Sequence, residues 1–410
     1  MLIGSDGIGY FMYTRSIVID HDLDFANEHA YFHEKVPGTI SGAISTPTKR
    51  VANQWAVGSG VLWLPFFMVA HIFSMILNYL GFAVSLDGYS FLYQAAICIG
   101  SMFYSFLAIT LIYNTIKKYF PHTAIYACLL IWFSTNLIYY QLIEPSMSHM
   151  CSLFACALLV NIWIIIRPIE KVAHWFLIGM VGGLVAMVRQ PDVTILILPL
   201  LDGLFAKTPI SMKIKSSIAF LIGFLLLFSF QLVTWFPIYG SPFVDGYTYS
   251  GQSFFWFSPK IIEVLFSTNH GLFLWHPILI IATLGFFNLR RIDLKLTLLL
   301  VLGFLLQIYL IGSWQFWSQG DAFGGRMFIA SLPLLALGLC GSLEWLVNMR
   351  QTRLAWITGL ILLGWNGLFL AQYRLGYIPF NGQISFEQLT VGKFWMIEDI
   401  IQKIWQIISY

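Results

Sequence analysis

Asp6, in the run Ser5-Asp6-Gly7-Ile8-Gly9-Tyr10, is a carboxylate in the polar head of a chain that is otherwise mostly apolar. Arg15 follows it, and Asp20, Asp22 and Asp24 complete four carboxylates within nineteen positions. A carboxyl group beside an apolar interface titrates high, which suits a general base. The competing reading of Asp6 is a helix-capping or loop aspartate. For Asp20, Asp22 and Asp24 a solvated acidic turn is the stronger reading, with Asp20 and Asp22 kept as supporting polar groups. Clustered carboxylates also suit a hard cation, but this spacing matches no known ion loop, so a divalent metal stays open and no other cofactor is implied.

Two arginines stand out. Arg189 lies in Arg189-Gln190-Pro191-Asp192, and Arg326 closes the run Trp314-Gln315-Phe316-Trp317-Ser318-Gln319-Gly320-Asp321-Ala322-Phe323-Gly324-Gly325-Arg326. A guanidinium matches phosphate with its planar fork. The alternatives are ion pairs, Arg189 with Asp192 and Arg326 with Asp321. Arg326 opens a helix, where the dipole disfavours a cation, and a bound phosphate accounts for that placement. Trp314 and Trp317 offer flat faces of the kind that stack on sugars, and the glycines allow close backbone approach. The segment 239–269 adds Tyr247 and Trp256 and is too aromatic for disorder; it reads as a lid on the interface. Glu144 and His149 precede an apolar helix for which Ser146 or Ser148 is a good N-cap. They read equally as polar contacts, or a metal ligand, and as a capped helix end. His270 is either catalytic support or an interfacial cap.

The elements that must position these groups are membrane helices. Hydrophobic residues make up 58% of the 410 and charged residues 10%, with mean hydropathy +0.77. Soluble domains carry about 25% charged residues, so a soluble fold is excluded. The fold expected is all-α, a polytopic transmembrane bundle with a polar first outer loop and interfacial helices. Candidate spans are 57–82, 91–115, 122–140, 148–166, 172–188, 192–206, 214–238, 270–289, 294–313, 327–347 and 354–373, with 192–206 short for a crossing. Residues 1–90 form an outer head with an interfacial or re-entrant helix, 91–373 about ten transmembrane helices, and 374–410 an amphipathic tail with Phe394, Ile397, Ile400, Ile401, Ile404 and Ile408 at helical spacing.

Lys117-Lys118, Arg167 with Lys171, the lysines of 207–215, Arg290-Arg291 with Lys295, and Arg350 with Arg353 fall in alternate loops, which are cytoplasmic by the positive-inside rule. The loops 141–148, 189–192, 239–269 and 313–326 are then outside. A full crossing by 57–82 would put the head inside, so an interfacial course, marked by Trp63, Pro65 and His71, is the preferred reading. The five cysteines lie in apolar stretches and read as small buried hydrophobes. Met1 leads almost at once into polar sequence, with no cleavable signal pattern. The net charge of +3 says little about partners.

The acidic head, the polar 141–149 loop, the aromatic outer loop and the late Trp, Gly, Phe-Gly-Arg run together resemble the GT-C superfamily of membrane glycosyltransferases, which includes protein mannosyltransferases and the lipid A aminoarabinose transferase. The resemblance places Asp6 at the family's first outer-loop acid, the base or acceptor-binding group. Gly7 stands where many members carry a second acid. It also implies a full helix ahead of the acid, where this sequence has Met1 to Gly4. The function implied is transfer of a sugar from a polyprenyl-phosphate donor to a lipid, glycan or protein acceptor at the outer face of a bacterial-type inner membrane. Asp6 would be base, Arg189 and Arg326 phosphate contacts, and Tyr247, Trp256, Trp314 and Trp317 the sugar or lipid platform. No nucleic-acid partner is expected. The other readings are a transporter or flippase of lipid-linked sugars, although no internal repeat is visible, and a non-catalytic membrane subunit.

Overall fold

A computed structural model describes residues 1–38 and 42–408, with side chains described to residue 405. Residues 39–41, within the Gly-, Pro-, Ser- and Thr-rich stretch 36–48 that the sequence reads as loop, and the side chain of Ile408 lie outside the described residues. Among the described residues the chain is helical, with two isolated bridges, Ser45 to Val51 and Phe254 to Trp314.

The head comprises α1 (Gly7–Arg15), a π-helical turn Ser16–Asp20 and α2 (Ala26–Lys35). Then come α3 (Gly58–Tyr79), α4 (Phe91–Lys117), the short α5 (Ala124–Phe133) and α6 (Leu137–Leu142), α7 (His149–Ile166), α8 (Val172–Val188), α9 (Ile197–Leu204) and α10 (Ile210–Tyr239). The short helices α11 (Gly246–Tyr249), α12 (Ile261–Phe266), α13 (Leu272–Trp275), α14 (Ile278–Leu284) and α15 (Phe286–Leu289) follow. The chain closes with α16 (Leu294–Ser313), α17 (Leu332–Asn348), α18 (Thr352–Arg374), α19 (Phe386–Leu389) and the tail helix α20 (Gly392–Ile408). Among the described residues seven helical stretches are long and apolar enough to cross a bilayer, beginning with Gly58–Tyr79, and three shorter apolar ones are Ala124–Phe133, Val172–Val188 and Ile278–Leu289. The chain is a polytopic helical membrane protein.

Three expected spans are interrupted, each for a local reason. In 122–140, α5 stops at Phe133 because the Thr135 hydroxyl bonds back to the Ile131 carbonyl at 2.7 Å and accepts from the Leu137 amide at 3.2 Å, which starts α6. In 270–289, Pro277 and Gly285 divide α13, α14 and α15. The third, 192–206, begins as the 3₁₀ helix Gln190–Leu196, seven residues long, and continues as the eight-residue α9. A 3₁₀ helix rises about 2.0 Å per residue and an α-helix about 1.5 Å, so these fifteen residues reach roughly 26 Å, the length of α8. The stretch runs back along α8: Leu196 packs on Gly182, and Gly203 lies under the Trp175 ring.

The chain divides into two compact units, Met1–Leu111 with Tyr140–Ser253, and Ile112–Tyr139 with Phe254–Tyr410. In the first, α8 and α10 run parallel with their backbones in contact. A Cβ on Gly179 would stand 2.1 Å from the Phe220 carbonyl oxygen, one on Gly183 2.3 Å from that of Phe224, and one on Gly223 2.2 Å from that of Phe176. Small residues permit the close approach by which membrane helices associate, since lipid removes the hydrophobic drive between them. The same unit fixes α3. Gly58 packs on the Met187–Val188 backbone at the end of α8, Trp63 donates to Ser101 at 2.9 Å, and His71 bonds Tyr93 at 2.8 Å. Trp63 and His71 thus have partners along the first half of α4, which runs antiparallel to α3. Deeper in the unit Asn161 of α7 donates to the Leu111 carbonyl at 3.1 Å.

In the second unit the stretch Arg326–Asn348, which includes α17, is central, with 94% of its apolar window buried. A Cβ on Gly285 would meet the Gly338 carbonyl oxygen at 1.7 Å. Asn366 of α18 donates to the Phe133 and Thr135 carbonyls at 2.9 Å each, covering the frayed end of α5. Lys393 of α20 is fully buried, its ammonium 3.9 Å from the Phe369 ring centre and 4.3 Å from that of Trp365.

Candidate functional site

The first unit gathers a polar group where α1 begins, α7 begins and α8 ends. Asp6 and Tyr10 are four apart and share a face of α1. Asp6 occupies the N-cap position of α1, yet its side chain makes no capping bond, and it is only partly buried. The capping reading of Asp6 is therefore not realised. Ser148 likewise sits at the N-cap of α7 without capping it; its hydroxyl contacts that of Tyr10 instead. Tyr10 is buried, edge-on to Trp55 and Trp63, and Asp6, Tyr247 and Arg189 all act on its hydroxyl.

Tyr247 arrives from the far end of α10. Asp245 caps α11, accepting from the Tyr247 and Thr248 amides at 3.1 and 3.3 Å. Gly246 lies so close to Gln54 that a Cβ would be 2.7 Å from its carbonyl oxygen. Asn53 then ties this loop to α1: its backbone bonds the Tyr239 hydroxyl, and its Nδ2 donates to the Gly9 carbonyl at 2.8 Å. The result sets Tyr247 against the Arg189 guanidinium, which is in hydrogen-bonding contact with its hydroxyl, and near Asp6 and Asp192.

Arg189 and Asp192 are both buried, and Arg189 Nη1 lies 3.8 Å from Asp192 Oδ2. Ser152 of α7 donates to the same carboxylate oxygen. The ion pair anticipated as the alternative for Arg189 thus exists, and the guanidinium also reaches Tyr247. Burial pushes both Tyr10 and Tyr247 above the ordinary phenol range, so both hydroxyls stay protonated as donors. The arrangement offers one partly exposed carboxylate, two phenol donors and one buried cation. That is enough to take a proton from a hydroxyl and to hold an anion.

Gly7 adds a restriction. A Cβ there would stand 2.7 Å from both the Ser146 carbonyl oxygen and Oγ. No second acid fits at that position.

The denser acids of the head are engaged elsewhere. Arg15 Nη1 bonds Asp20 at 2.5 Å and Glu28 at 2.6 Å, its Nε donates to the Asp87 carbonyl at 2.8 Å, and it lies 4.1 Å from the Tyr89 ring centre. Asp22 accepts from the Ser16 hydroxyl at 2.8 Å and the Asp24 amide at 3.0 Å. Among the described residues no three His, Cys, Asp or Glu side chains assemble as a metal set. All five cysteines are buried and free. His149 is buried, edge-on to Tyr140 at 5.1 Å, and Glu144 is partly exposed.

The second unit carries its own polar group. His270 is buried with φ 62°, a costly conformation for a non-glycine residue, and its Nδ1 is 2.7 Å from the Ser318 carbonyl oxygen, to which it donates. Burial, with Arg326 adding to it, pushes its imidazole down to about 4. His270 is therefore neutral, and Arg326, also buried, is the cation beside it. Asp321, the alternative partner for Arg326, is exposed. Phe254 links two of the tryptophans, bridging Trp314 through its backbone and stacking on the Trp256 ring at 5.1 Å, and Trp317 is partly buried nearby in sequence. The 239–269 loop is thus divided: Tyr247 belongs to the first unit and Trp256 to the second.

Sequence reading missed Glu28 and Tyr10. Tyr10 was signalled by its four-residue spacing from Asp6. Glu28 was signalled only by its place between Phe25 and Phe32, both fully buried. No protein-family model, curated protein or solved structure matches this chain.

Proposed function

We propose that the chain is a membrane glycosyltransferase that moves a sugar from a polyprenyl-phosphate donor to an acceptor hydroxyl at the membrane face bearing Asp6. In that reaction the acceptor proton passes to the Asp6 carboxylate, a bond forms between the acceptor oxygen and the anomeric carbon, and the bond from that carbon to the phosphate oxygen breaks. Polyprenyl phosphate leaves as an anion, which Arg189 and the Tyr247 hydroxyl suit as donors. In the second unit, taken by itself, Arg326 is proposed as a phosphate contact and Trp256 and Trp314 as surface for a sugar or an isoprenoid chain.

The observation that carries the reading is Asp6 itself, a partly exposed carboxylate that leaves its helix uncapped and stands among Tyr10, Tyr247 and Arg189. The group lies where α7 begins and α8 ends, opposite the ends of the same helices that carry Arg167 and Lys171. By the positive-inside rule that is the outer face. α3 begins against the end of α8 and runs antiparallel to the first half of α4 toward its start, a course that supports an outer position for the head. A bacterial-type inner membrane is part of the same proposal.

The test is transfer of radiolabelled sugar from a polyprenyl-phosphate donor by purified protein. Asp6→Asn is expected to abolish transfer at unchanged protein level and melting temperature. Full activity in that variant overturns the assignment of Asp6. Donor binding with no transfer by the wild type instead favours transport.

A further inference from the structure

The lysine-rich end of the first unit holds a cavity that the proposed chemistry does not use. Its volume is about 290 Å³, at the small end of ligand pockets. Its walls come from the start of α8, the end of α9 and the start of α10. Leu200, Leu204 and Phe220 supply apolar surface, and Trp175 lies across Gly203 so closely that a Cβ there would touch its ring at 2.1 Å. The polar lining is Thr208, Lys213, Ser216 and Ser217. Arg167 nearby is neutralised by Asp202, bonded at 2.7 Å, with Trp163 donating to the same carboxylate at 2.9 Å. Lys213 is the charged residue in the cavity wall, and Lys171, Lys207 and Lys215, with Glu170, stand within a few residues of the wall in sequence. Lys213 uses one donor on the Leu204 carbonyl, 2.9 Å away at the end of α9, and an ammonium has three.

We propose that this cavity is a binding site for an anionic phospholipid, one acyl chain lying among Leu200, Leu204 and Phe220 and the headgroup phosphate meeting Lys213 and Thr208. Charge complementarity selects this occupant over a neutral lipid. Basic pockets between membrane helices attract anionic headgroups. The site stands at the opposite end of α8 from Arg189 and does not depend on the transferase reading.

The test is native mass spectrometry of the full chain in detergent, titrated with phosphatidylglycerol or with phosphatidylcholine of the same acyl chains. The wild type is expected to retain one phosphatidylglycerol at least tenfold more tightly than phosphatidylcholine. Lys213→Glu should erase that preference. Leu204→Trp and, independently, Ser217→Trp should fill the cavity and remove the retained lipid, with each variant's melting temperature in lipid-free detergent checked against the wild type. Equal retention of both lipids by the wild type overturns the proposal. So does phosphatidylglycerol retention unchanged by Lys213→Glu and by both tryptophan variants, which marks a belt lipid held elsewhere.

Discussion

Replacing Glu28 with glutamine isolates one buried charge whose cost can be worked out. Glu28 is fully buried on α2; Oε1 accepts from Arg15, and Oε2 is buried with no hydrogen-bond partner. Burial outweighs the arginine and pushes the carboxyl up to about 7, from an ordinary value of 4.5. Between those values the folded chain keeps a proton that the unfolded chain has released. Stability therefore falls as pH rises from about 4.5 to about 7, the reverse of a carboxylate held low by its partner. At ~1.4 kcal/mol per pH unit the window is worth roughly 3 kcal/mol. Glutamine keeps a carbonyl for Arg15 and removes the titration, while Asp20 still faces the guanidinium. The assay is thermal unfolding of the full chain in one detergent, followed by tryptophan fluorescence from about pH 5 to about pH 8. The wild type should lose a few degrees relative to Glu28→Gln across that range, with the gap complete above pH ~7. An identical pH slope in both proteins would refute the reasoning, because Glu28 would then be ionised throughout and Arg15 would dominate the pair.

Other perturbations read other parts of the fold. Gly7→Asp, which supplies a second acid beside Asp6, should cost about 1–3 kcal/mol through its clash with Ser146 and lower the melting temperature, even though Gly7 sits in a helix. Gly183→Val should part α8 from α10, since its Cβ alone meets the Phe224 carbonyl; a sharp fall in monodisperse yield would register this, while Gly364→Val on α18, where a Cβ meets nothing within 4 Å, should leave yield intact. Burial lowers the Lys393 ammonium to about 7, so its contribution to stability is fully present above about 10.5 and is lost as pH falls toward 7. Lys393→Met should consequently slow amide exchange in α20 at neutral pH, with the difference from wild type vanishing near pH ~10.

The all-helical, multi-pass fold was legible because composition alone excludes a soluble core, and the long helices coincide with uninterrupted apolar runs. The breaks were less legible. Thr135 ends α5 through a side-chain bond that competes with the helix, and hydropathy cannot register that competition. The span 192–206 reads as short when its length is counted at the α-helical rise, whereas the helices that form, over 190–204, begin with a 3₁₀ portion that extends them. Within the candidate site, Arg189 and Asp192 were paired by their spacing in the chain. Tyr247 joined them only through Asn53 and Gln54, contacts nearly two hundred residues apart that no local pattern encodes. Asp20 and Asp22 drew attention by density, yet they serve Arg15 and Ser16. Glu28, solitary in the sequence, is the acid of the head that burial perturbs. The α8 seam did leave a local trace in Gly179 and Gly183, four apart in an apolar helix, but its counterpart Gly223 is a single glycine and gives no such sign.

The contact between α8 and α10 has a consequence for how the chain tolerates change. The apolar window of α10 is only 17% buried, and seven of its thirty residues are buried. Its buried positions are Ser216, Gly223, Gln231, Thr234, Trp235, Ile238 and Tyr239. A saturation scan of this helix would therefore return long stretches where any greasy residue serves. Intolerance would concentrate at Gly223, where the Phe176 carbonyl leaves no room, and at Gln231, whose Oε1 holds the Val57 amide at 2.9 Å. The most lipid-exposed helix of the first unit can drift freely in sequence at most positions, and its identity is carried by a few points along one narrow line.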